Sequence, residues 1–217
     1  MSPASQSIEY SIYTASDAKE MIRLLSQVFA ERDPPALALG LTEADFEVLV
    51  RLISSKAAAE GLTIVARSSK TGEMCGALLA EDSASPVPDG IELVSSKFAP
   101  IFDILTELVA EYRGDEVPRP GESIHLFLLG VARDFAGKGV AKQLVERCIA
   151  NGARKGYRLA VSEATNKTSQ NVFRQQGFIE RARRSYGDHR FKGQAVFASI
   201  ADQGGPVLME KRLSSAD

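Results

Sequence analysis

The sequence predicts an α/β fold in which a central sheet of about seven strands is flanked by helices. Short apolar or alternating runs, each too short for an ordinary helix, recur along the chain, and longer segments with apolar residues at a 3.6-residue period lie between them. No internal repeat is visible. The length of 217 residues suits one domain, residues 1–217, with a large buried core.

The first part of the chain predicts one strand and two helices. Residues 8–12 alternate apolar and polar side chains, as in a half-buried strand. Asp17-x-x-Glu20 matches a capping box for a helix that stops at Asp33-Pro34-Pro35. Thr42-x-x-Asp45 predicts the start of a second helix, and Gly61 predicts its end.

A hairpin and an inserted helix follow. Apolar runs at 62–67 and 74–80 flank a polar loop, which is the pattern of two paired strands. Prolines and glycine in residues 84–90 predict an irregular segment. Helical spacing returns over residues 97–113 before another proline- and glycine-rich stretch. The sequence therefore predicts an extra helix between strands 3 and 4.

The centre of the chain predicts a buried strand, a glycine loop and a helix. Ser123–Val131 is apolar and free of proline, and from Val140 the apolar residues follow one helical face. Gly137 and Gly139 precede that helix, whose first turn has unpaired N–H groups and the positive end of the helix dipole. We therefore expect a phosphate here, although the spacing fits neither a P-loop nor a dinucleotide fingerprint.

The last part predicts further alternation of strand and helix. Residues 157–162 form an apolar run, and Asn166 leads a short helix that ends before Gly177-Phe178. Strand pieces are predicted around residues 179–185, 194–200 and 207–213. The order of elements is β-α-α-β-β-(α)-β-α-β-α-β-β.

Two local motifs carry a resemblance to a known family. Ala136-x-x-Gly139-x-Ala141 matches the pattern Gln/Arg-x-x-Gly-x-Gly/Ala except at its first position, and Asn166 precedes a helix and Gly177-Phe178. With the order of elements, the chain resembles the GCN5-related N-acetyltransferases over nearly its whole length. The resemblance implies a mixed sheet and acetyl-CoA as the acyl donor.

Other segments resemble the arylalkylamine N-acetyltransferases, including the insect dopamine-acetylating branch. They are His125 to Val131, Phe29-Ala-Glu-Arg-Asp-Pro34, the inserted helix, and Tyr186-Gly-Asp-His189. Asp33 stands where that branch has Glu, with the preceding spacing one residue different. The resemblance implies a small primary amine as the acceptor.

The resemblance also assigns residues to the cofactor. The main chain at Leu129 and Val131 would pair with the pantetheine arm, and Val131 would polarise the acetyl carbonyl. Asn166 and Ser169 would contact the cofactor. The pyrophosphate would bind the loop and first turn formed by Ala136, Gly137, Lys138, Gly139, Val140 and Ala141. The alternative is a purely structural strand-to-helix turn with a solvated lysine.

Acetyl transfer to an amine needs a base, donors for the carbonyl oxygen and a route for the thiolate to leave. Asp33 and His125 are the two candidate bases; an Asp before proline also turns a chain, and a strand histidine also serves structure. Phe173 occupies a position where many family members have a tyrosine acid. Ser169 is the substitute candidate, although both it and Asn166 could simply cap a helix.

The predicted function is an acetyl-CoA-dependent N-acetyltransferase acting by direct attack in a ternary complex. Alternatives are a peptide or protein acetyltransferase, a polyamine acetyltransferase and a non-catalytic acyl-CoA sensor. The basic run from Arg181 to Lys192 is either a solvated hairpin or an anion site. A net charge of −2 argues against nucleic acid as a partner.

Composition suggests an ordinary cytoplasmic protein, monomer or homodimer. Cys75 and Cys148 lie in apolar segments and suit core packing, and the only two histidines are far apart in sequence, so no metal site is expected. The N-terminus has no targeting pattern and no apolar run approaches membrane-spanning length, so no membrane partner is expected.

Overall fold

A seven-stranded mixed sheet forms the centre of the computed structural model, which describes residues 7–214. The strand order is β1-β2-β3-β4-β5-β7-β6, and among the described strands only β4 and β5 pair in parallel. The strand count confirms the prediction. The strands are Ile8–Ile12 (β1), Ile64–Ser68 (β2), Met74–Asp82 (β3), Ser123–Val131 (β4), Leu159–Ala164 (β5), Ile179–Arg183 (β6) and Val207–Arg212 (β7).

Helices cover both faces of the sheet, and each face has its own apolar core. The first four helices pack with one core, and the last two pack with the other. The inserted helix, predicted at about 97–113, is the fourth. The helices are Ala18–Arg32 (α1), Pro34–Ala38 (α2), Glu43–Glu60 (α3), Ala99–Arg113 (α4), Val140–Arg154 (α5) and Lys167–Gln175 (α6).

The start of α1 differs from the prediction. The capping box is formed by Thr14 and Asp17 around a 3₁₀ turn, not by Asp17 and Glu20. Asp17 Oδ2 accepts hydrogen bonds from the Thr14 amide at 2.8 Å and hydroxyl at 2.9 Å. Asp17 and Glu20 instead both bind Arg67 on β2, at 2.7 and 2.8 Å. Ion pairs with Arg67, which is distant in the sequence, therefore help to determine the roles of these two carboxylates.

The end of α1 is followed directly by the start of the next helix. Asp33 follows α1 as its C-cap and precedes α2 as its N-cap, with extended backbone angles. Pro34 and Pro35 occupy the first turn of α2, where a missing N–H costs nothing. The sequence predicted the stop but not α2. The two helices hold Asp33 at a sharp corner of the chain.

The predicted capping of α3 is confirmed. The Asp45 amide donates to Thr42 Oγ1 at 3.2 Å, and the Thr42 amide donates to Asp45 Oδ2 at 2.9 Å. Gly61 ends the helix in the left-handed region, with φ of 61°.

The C-terminal third departs from the prediction at one place. Residues 194–200 form no strand; Phe191 and Gln194 make an isolated bridge, and a 3₁₀ segment covers Ala198–Gln203. Phe197 is fully buried there against Tyr186, with ring centroids 5.2 Å apart. Packing of single aromatic residues, not strand pairing, accounts for the apolar pattern. β5 also begins two residues later than predicted.

Both cysteines are buried and free, as predicted from their apolar neighbours. Within residues 7–214, no helix combines the length and apolar character needed to cross a membrane.

Candidate active site

The parallel strands β4 and β5 pair only at their beginnings. Residues 123–125 pair with residues 159–161, although β4 continues to Val131 and β5 to Ala164. The Ser162 hydroxyl then donates a 2.8 Å hydrogen bond to the Leu126 carbonyl, and the strands diverge. This divergence opens a cleft in the middle of the sheet. Along the cleft, the main-chain groups of β4 on the side of β5 pair with no strand among the described residues.

A β-bulge shapes the wall of this cleft. Leu79 on β3 pairs with Leu128 and Ala80 pairs with Leu126, so Phe127 is an extra residue in β4. Leu126 packs with the core on the α5 side, whereas Phe127 and Leu128 both pack with the core beneath α1, α3 and α4. The bulge therefore places two consecutive side chains on the same face of the sheet.

Close packing of α1 on β4 completes this wall. A Cβ at Gly130 would lie 2.7 Å from the Leu25 side chain, so a larger residue would force Leu25 to shift. The end of α1, and Asp33 with it, is thereby held near the diverging strands.

Two adjoining cavities occupy the cleft and its flank. The smaller, of about 120 Å³, is lined by Asp33, Leu129, Asn166 and Ser169 together with several phenylalanines. The larger, of about 570 Å³, is lined by His125 among others. They share the lining residues Leu49, Phe102, Leu105, Phe127 and Glu163. The fold thus brings four of the predicted site residues into the lining of one cavity, and His125 lines the adjoining cavity.

Asp33 is a buried carboxyl at the inner end of this space, only 7% exposed. The Thr165 hydroxyl donates a 2.7 Å hydrogen bond to Asp33 Oδ1. Burial raises the pKa of Asp33 to about 6, against the opposing effect of the Thr165, Ala36 and Asn166 donors. A carboxyl with this pKa is mostly ionised at neutral pH and can still accept a proton readily.

Asn166 and Ser169 form the N-terminal cap of α6. Asn166 Oδ1 accepts from the Ser169 amide at 2.9 Å, and the Ser169 hydroxyl donates to the Asn166 carbonyl at 2.9 Å. Both residues also line the smaller cavity. The cap fixes the Ser169 hydroxyl beside the space where Asp33 lies, so capping and a role at the site are compatible.

Tyr186 supports Thr165 from a position that lines neither of these two cavities. Its side chain is 1% exposed, and its hydroxyl donates a 2.7 Å hydrogen bond to the Thr165 carbonyl. Burial raises the pKa of Tyr186, and the Asp33 charge adds to the rise. Tyr186 is therefore a neutral support for Thr165.

His125 lies between two glutamates. Its Nε2 is 2.6 Å from Glu163, and its Nδ1 is 3.3 Å from Glu81, which Lys56 also approaches at 3.3 Å. Burial favours the neutral imidazole, but Glu163 and Glu81 outweigh it and raise the pKa of His125 to about 10. An imidazolium at neutral pH has no free lone pair to accept a proton.

The glycine loop has the backbone that the sequence predicted. Gly137 and Gly139 have φ of 74° and 79°, and a Cβ at either would meet no atom within 4 Å. Glycine is required here by conformation and not by packing. Val140 begins α5 directly after Gly139, so the first-turn amides of α5, which lack partners within the helix, follow the glycine loop directly.

Arg32 is a neighbour of this region that the sequence did not reveal. The last residue of α1, it donates a short hydrogen bond from its guanidinium to the Val131 carbonyl at the end of β4. Val131 is one of the residues expected to pair with the pantetheine arm. The guanidinium and the arm would therefore meet the same stretch of main chain.

The basic run that begins in β6 is largely ion-paired. Arg183 makes two hydrogen bonds to Glu180, at 2.8 and 2.7 Å, and Arg181 lies 3.7 Å from Glu210. Arg184 pairs with Glu111 and Glu107 on α4. These contacts favour the solvated-hairpin interpretation over an anion site.

Glu81 and Glu163 are site residues that sequence reasoning missed. Both lie in strands that are otherwise apolar, in Leu-Leu-Ala-Glu and Ala-Val-Ser-Glu-Ala contexts. A charged residue inside an apolar strand needs a partner, and that signal was available. Its partner, His125, could not be found from spacing because the three residues lie on three different strands.

A family comparison agrees with this geometry. Residues 93–178 match the sequence model of the acetyltransferase (GNAT) family. This part of the chain is therefore similar to the GNAT acetyltransferases. It includes α4, the diverging strands β4 and β5, the glycine loop and the α6 cap.

Several solved structures are similar to nearly the whole of this chain. Arylalkylamine N-acetyltransferase 2 of Aedes aegypti is 22% identical, with a TM-score of 0.78, over 95% of this chain and 99% of that one. The C-terminal condensation domain of Ebony, in complex with β-alanyl-dopamine, is 15% identical, with a TM-score of 0.86, over 95% and 99% of the two chains.

A third similar structure is the polyamine N-acetyltransferase of Drosophila melanogaster, which catalyses the formation of N-acetylagmatine. It is 20% identical, with a TM-score of 0.73, over 95% of this chain and 100% of that one. At these identities the likeness establishes the GNAT fold. No curated protein matches the chain significantly.

Proposed function

We propose that this chain is an acetyl-CoA-dependent N-acetyltransferase for a small primary amine, with arylalkylamines as the acceptor class. The observation that carries the proposal is the position of Asp33, a buried carboxyl with a near-neutral pKa in an aromatic-lined cavity beside the divergence of β4 and β5. Acetyl passes from the thioester to the amine by direct attack in a ternary complex. Cys75 and Cys148 are buried and take no covalent part.

The donor binds along the end of β4 and the start of α5. The pyrophosphate lies against the amides of residues 136–141, with the Lys138 ammonium adding positive charge. The pantetheine arm pairs with the main chain at Leu129 and Val131, which requires Arg32 to release the Val131 carbonyl. An amide at Val131 then polarises the acetyl carbonyl as it becomes an oxyanion.

Asp33 acts as the general base, directly or through one water. An alkylamine has a pKa of roughly 10 and arrives protonated, so it must lose a proton before it attacks. The Thr165 hydroxyl, held by Tyr186 through the Thr165 main chain, orients the carboxylate. His125 is not the base, because Glu81 and Glu163 keep it protonated; it positions Glu163 in the cavity wall.

Ser169 is the group placed to assist the departing thiolate. Its hydroxyl borders the same cavity as Asp33 and already donates to the Asn166 carbonyl, so a small rotation redirects its proton. Phe173 is buried beneath it and has no proton to give. Asn166 keeps Ser169 in place through the helix cap.

The cavity composition favours an aromatic acceptor over a polyamine. Phe29, Phe46, Phe98, Phe102 and Phe127 line the inner cavity, whereas Glu81 and Glu163 are already paired with His125 and Lys56. A polyamine needs carboxylates that are available to it. The Ebony domain, which was solved in complex with β-alanyl-dopamine, and the Aedes aegypti arylalkylamine enzyme support the same class.

A polyamine acceptor is the second candidate. Glu116 joins Glu81 and Glu163 in lining the larger cavity, so a second cationic group could lie there while the reacting amine lies near Asp33. The similarity to the Drosophila melanogaster polyamine enzyme favours this reading.

Thiol release from acetyl-CoA, measured with a panel of arylalkylamines, polyamines and short peptides, tests the proposal. We expect amine-dependent release that is fastest with arylalkylamines, and Phe102→Ala should raise KM for them by about tenfold. Faster release with polyamines would select the second candidate. Tight calorimetric binding of acetyl-CoA without release from any acceptor would support a non-catalytic sensor.

A further inference from the structure

The two faces of α4 have different surroundings. Phe102 and Leu105 line the cavities described above. Asp103 and Glu107, one turn apart on the same helix, instead lie beside His189 in the turn after β6. His189 and its surroundings take no part in the acetyl transfer proposed above.

Three potential ligand atoms converge at this point. His189 Nε2 is 3.4 Å from Asp103 Oδ2, whereas Glu107 Oε2 is 3.6 Å from the other ring nitrogen, Nδ1. A single ion can bind only one of these nitrogens, and Nε2 is the one proposed as the ligand. One ligand atom from each residue lies within 4.8 Å of the others. Ligands at about 2.1 Å from a tetrahedral ion are roughly 3.4 Å apart, so the Asp103–His189 separation already suits two ligands of one ion.

The histidine is buried and poorly satisfied. Its side chain is 3% exposed, and Nε2 makes no hydrogen bond with any residue in the described range 7–214, Asp103 included. A buried ring nitrogen that makes no hydrogen bond destabilises the fold, because it has lost its contact with water. Phe197 packs against the ring, with centroids 5.7 Å apart, and limits the ways in which Nε2 could turn to solvent.

An ion can reach the cluster from one side. A cavity of about 380 Å³ is lined by Glu107, Ser185, Asp188 and His189, together with Arg183 and Arg184. The Glu107 side chain is half exposed and can move the short distance that coordination requires. Arg184 Nε lies 3.7 Å from Glu107 Oε2, but Arg184 also has Glu111 as a partner and need not hold Glu107.

We propose that Asp103, Glu107 and His189 form a divalent-cation site, with Zn²⁺ as the best-matched ion. One imidazole and two carboxylates are a borderline donor set that suits Zn²⁺ and the similar ion Co²⁺ better than Mg²⁺ or Ca²⁺, which prefer oxygen ligands only. Water completes the coordination. The ion ties the inserted helix to the chain segment that carries Tyr186, so its role is structural.

This site was not expected from sequence, because the two histidines are far apart and no metal-binding spacing is present. The ligands come from one helix and from a turn about 80 residues later, which only the fold brings together.

The test uses the untagged full chain after treatment with a chelator and gel filtration. Calorimetry with Zn²⁺ should give one equivalent bound at micromolar Kd or tighter, and Co²⁺ should give visible d–d absorption. Asp103→Asn and His189→Ala should each weaken binding at least tenfold. The melting temperature should rise with Zn²⁺ in the native chain but not in these two variants.

Asp115→Asn, an exposed carboxylate beyond the end of α4, is the matched control and should bind Zn²⁺ like the native chain. Asp103 is partly exposed, so its variant tests the site even if His189→Ala fails to fold. Absence of binding up to millimolar Zn²⁺, or binding that survives in Asp103→Asn, would overturn the proposal and leave His189 as a plain ion-pair partner of α4.

Discussion

The Thr165 hydroxyl donates a 2.7 Å hydrogen bond to Asp33 across a sequence separation of 132 residues. This contact joins the corner between α1 and α2 to the end of β5. It fixes the carboxylate at the cleft where β4 and β5 diverge, and it is the reason that Asp33, of the two candidate bases, is the one the geometry favours.

Replacing Asp33 by Asn should remove the general base. Asn is nearly the same size and caps helices equally well, so α2 should be kept. We expect kcat/KM for the best amine to fall by about 10²–10⁴-fold while the Kd of acetyl-CoA changes little. The native rate should rise as pH increases through about 6, the pKa of Asp33. Asp115→Asn is the control; equal activity of both variants would remove Asp33 from the mechanism.

The same replacement should stabilise the fold at neutral pH. The pKa of Asp33 is raised above its unfolded value, so the native state binds the proton more tightly and loses stability as pH rises from about 4 to 6. Asn does not ionise, so the variant avoids this loss of unfolding free energy, which is on the order of 2–3 kcal/mol above pH 6. Urea unfolding at pH 7.5 and 4.5 measures it; an advantage equally large at both pH values would point to another cause.

His125→Gln should affect stability more than the pH dependence of catalysis. The imidazolium separates Glu81 from Glu163, and its loss removes the cationic partner of Glu163 while Glu81 keeps Lys56, at a cost on the order of 3 kcal/mol. Because the pKa of His125 is raised, this contribution is complete below about pH 6.5 and disappears as pH rises through about 10. Unfolding curves across that range should show the variant and the native chain converging.

In His125→Gln, the rate of acetyl transfer should still fall as pH drops through about 6. If that fall disappears in His125→Gln and persists in Asp33→Asn, the two assignments are reversed.

Gly139→Ala tests the cofactor loop. An alanine at φ of 79° costs about 1–2 kcal/mol of strain and turns the amides before α5 away from the pyrophosphate. The Kd of acetyl-CoA should rise by roughly tenfold. Gly72→Ala is a matched control because Gly72 has φ of 72°, equally open space and a place in the β2–β3 turn. Similar affinity losses in both variants would indicate general destabilisation and not a cofactor contact.

Local patterns in the sequence predicted the elements that local forces determine. Thr42 and Asp45 cap α3 as expected, β4 spans Ser123–Val131, and the glycine loop precedes α5. Each depends on neighbours within a few residues along the chain. Capping of α1 was assigned one turn late because Arg67, far away in sequence, holds Asp17 and Glu20.

The site was predictable only in part for the same reason. Asp33 and Ser169 were found by resemblance, but their common cavity, the Thr165 bond and the Glu81–His125–Glu163 arrangement depend on contacts between separate strands and helices. α2 was missed because Pro34 and Pro35 signal both the end of one helix and the first turn of another.

The extra residue Phe127 gives β4 two independent halves. Before it, the odd-numbered side chains point toward the acceptor side; after it, the even-numbered ones do, as Leu128 and Gly130 show. Deleting Phe127 would therefore remove the bulge and leave Leu126 and Leu128 on their present faces, because they already pair with the adjacent residues Ala80 and Leu79. A substitution at His125 or Phe127 would likewise leave the main chain of residues 129–131 in place. We therefore expect such substitutions to change acceptor preference without altering how this chain binds the donor.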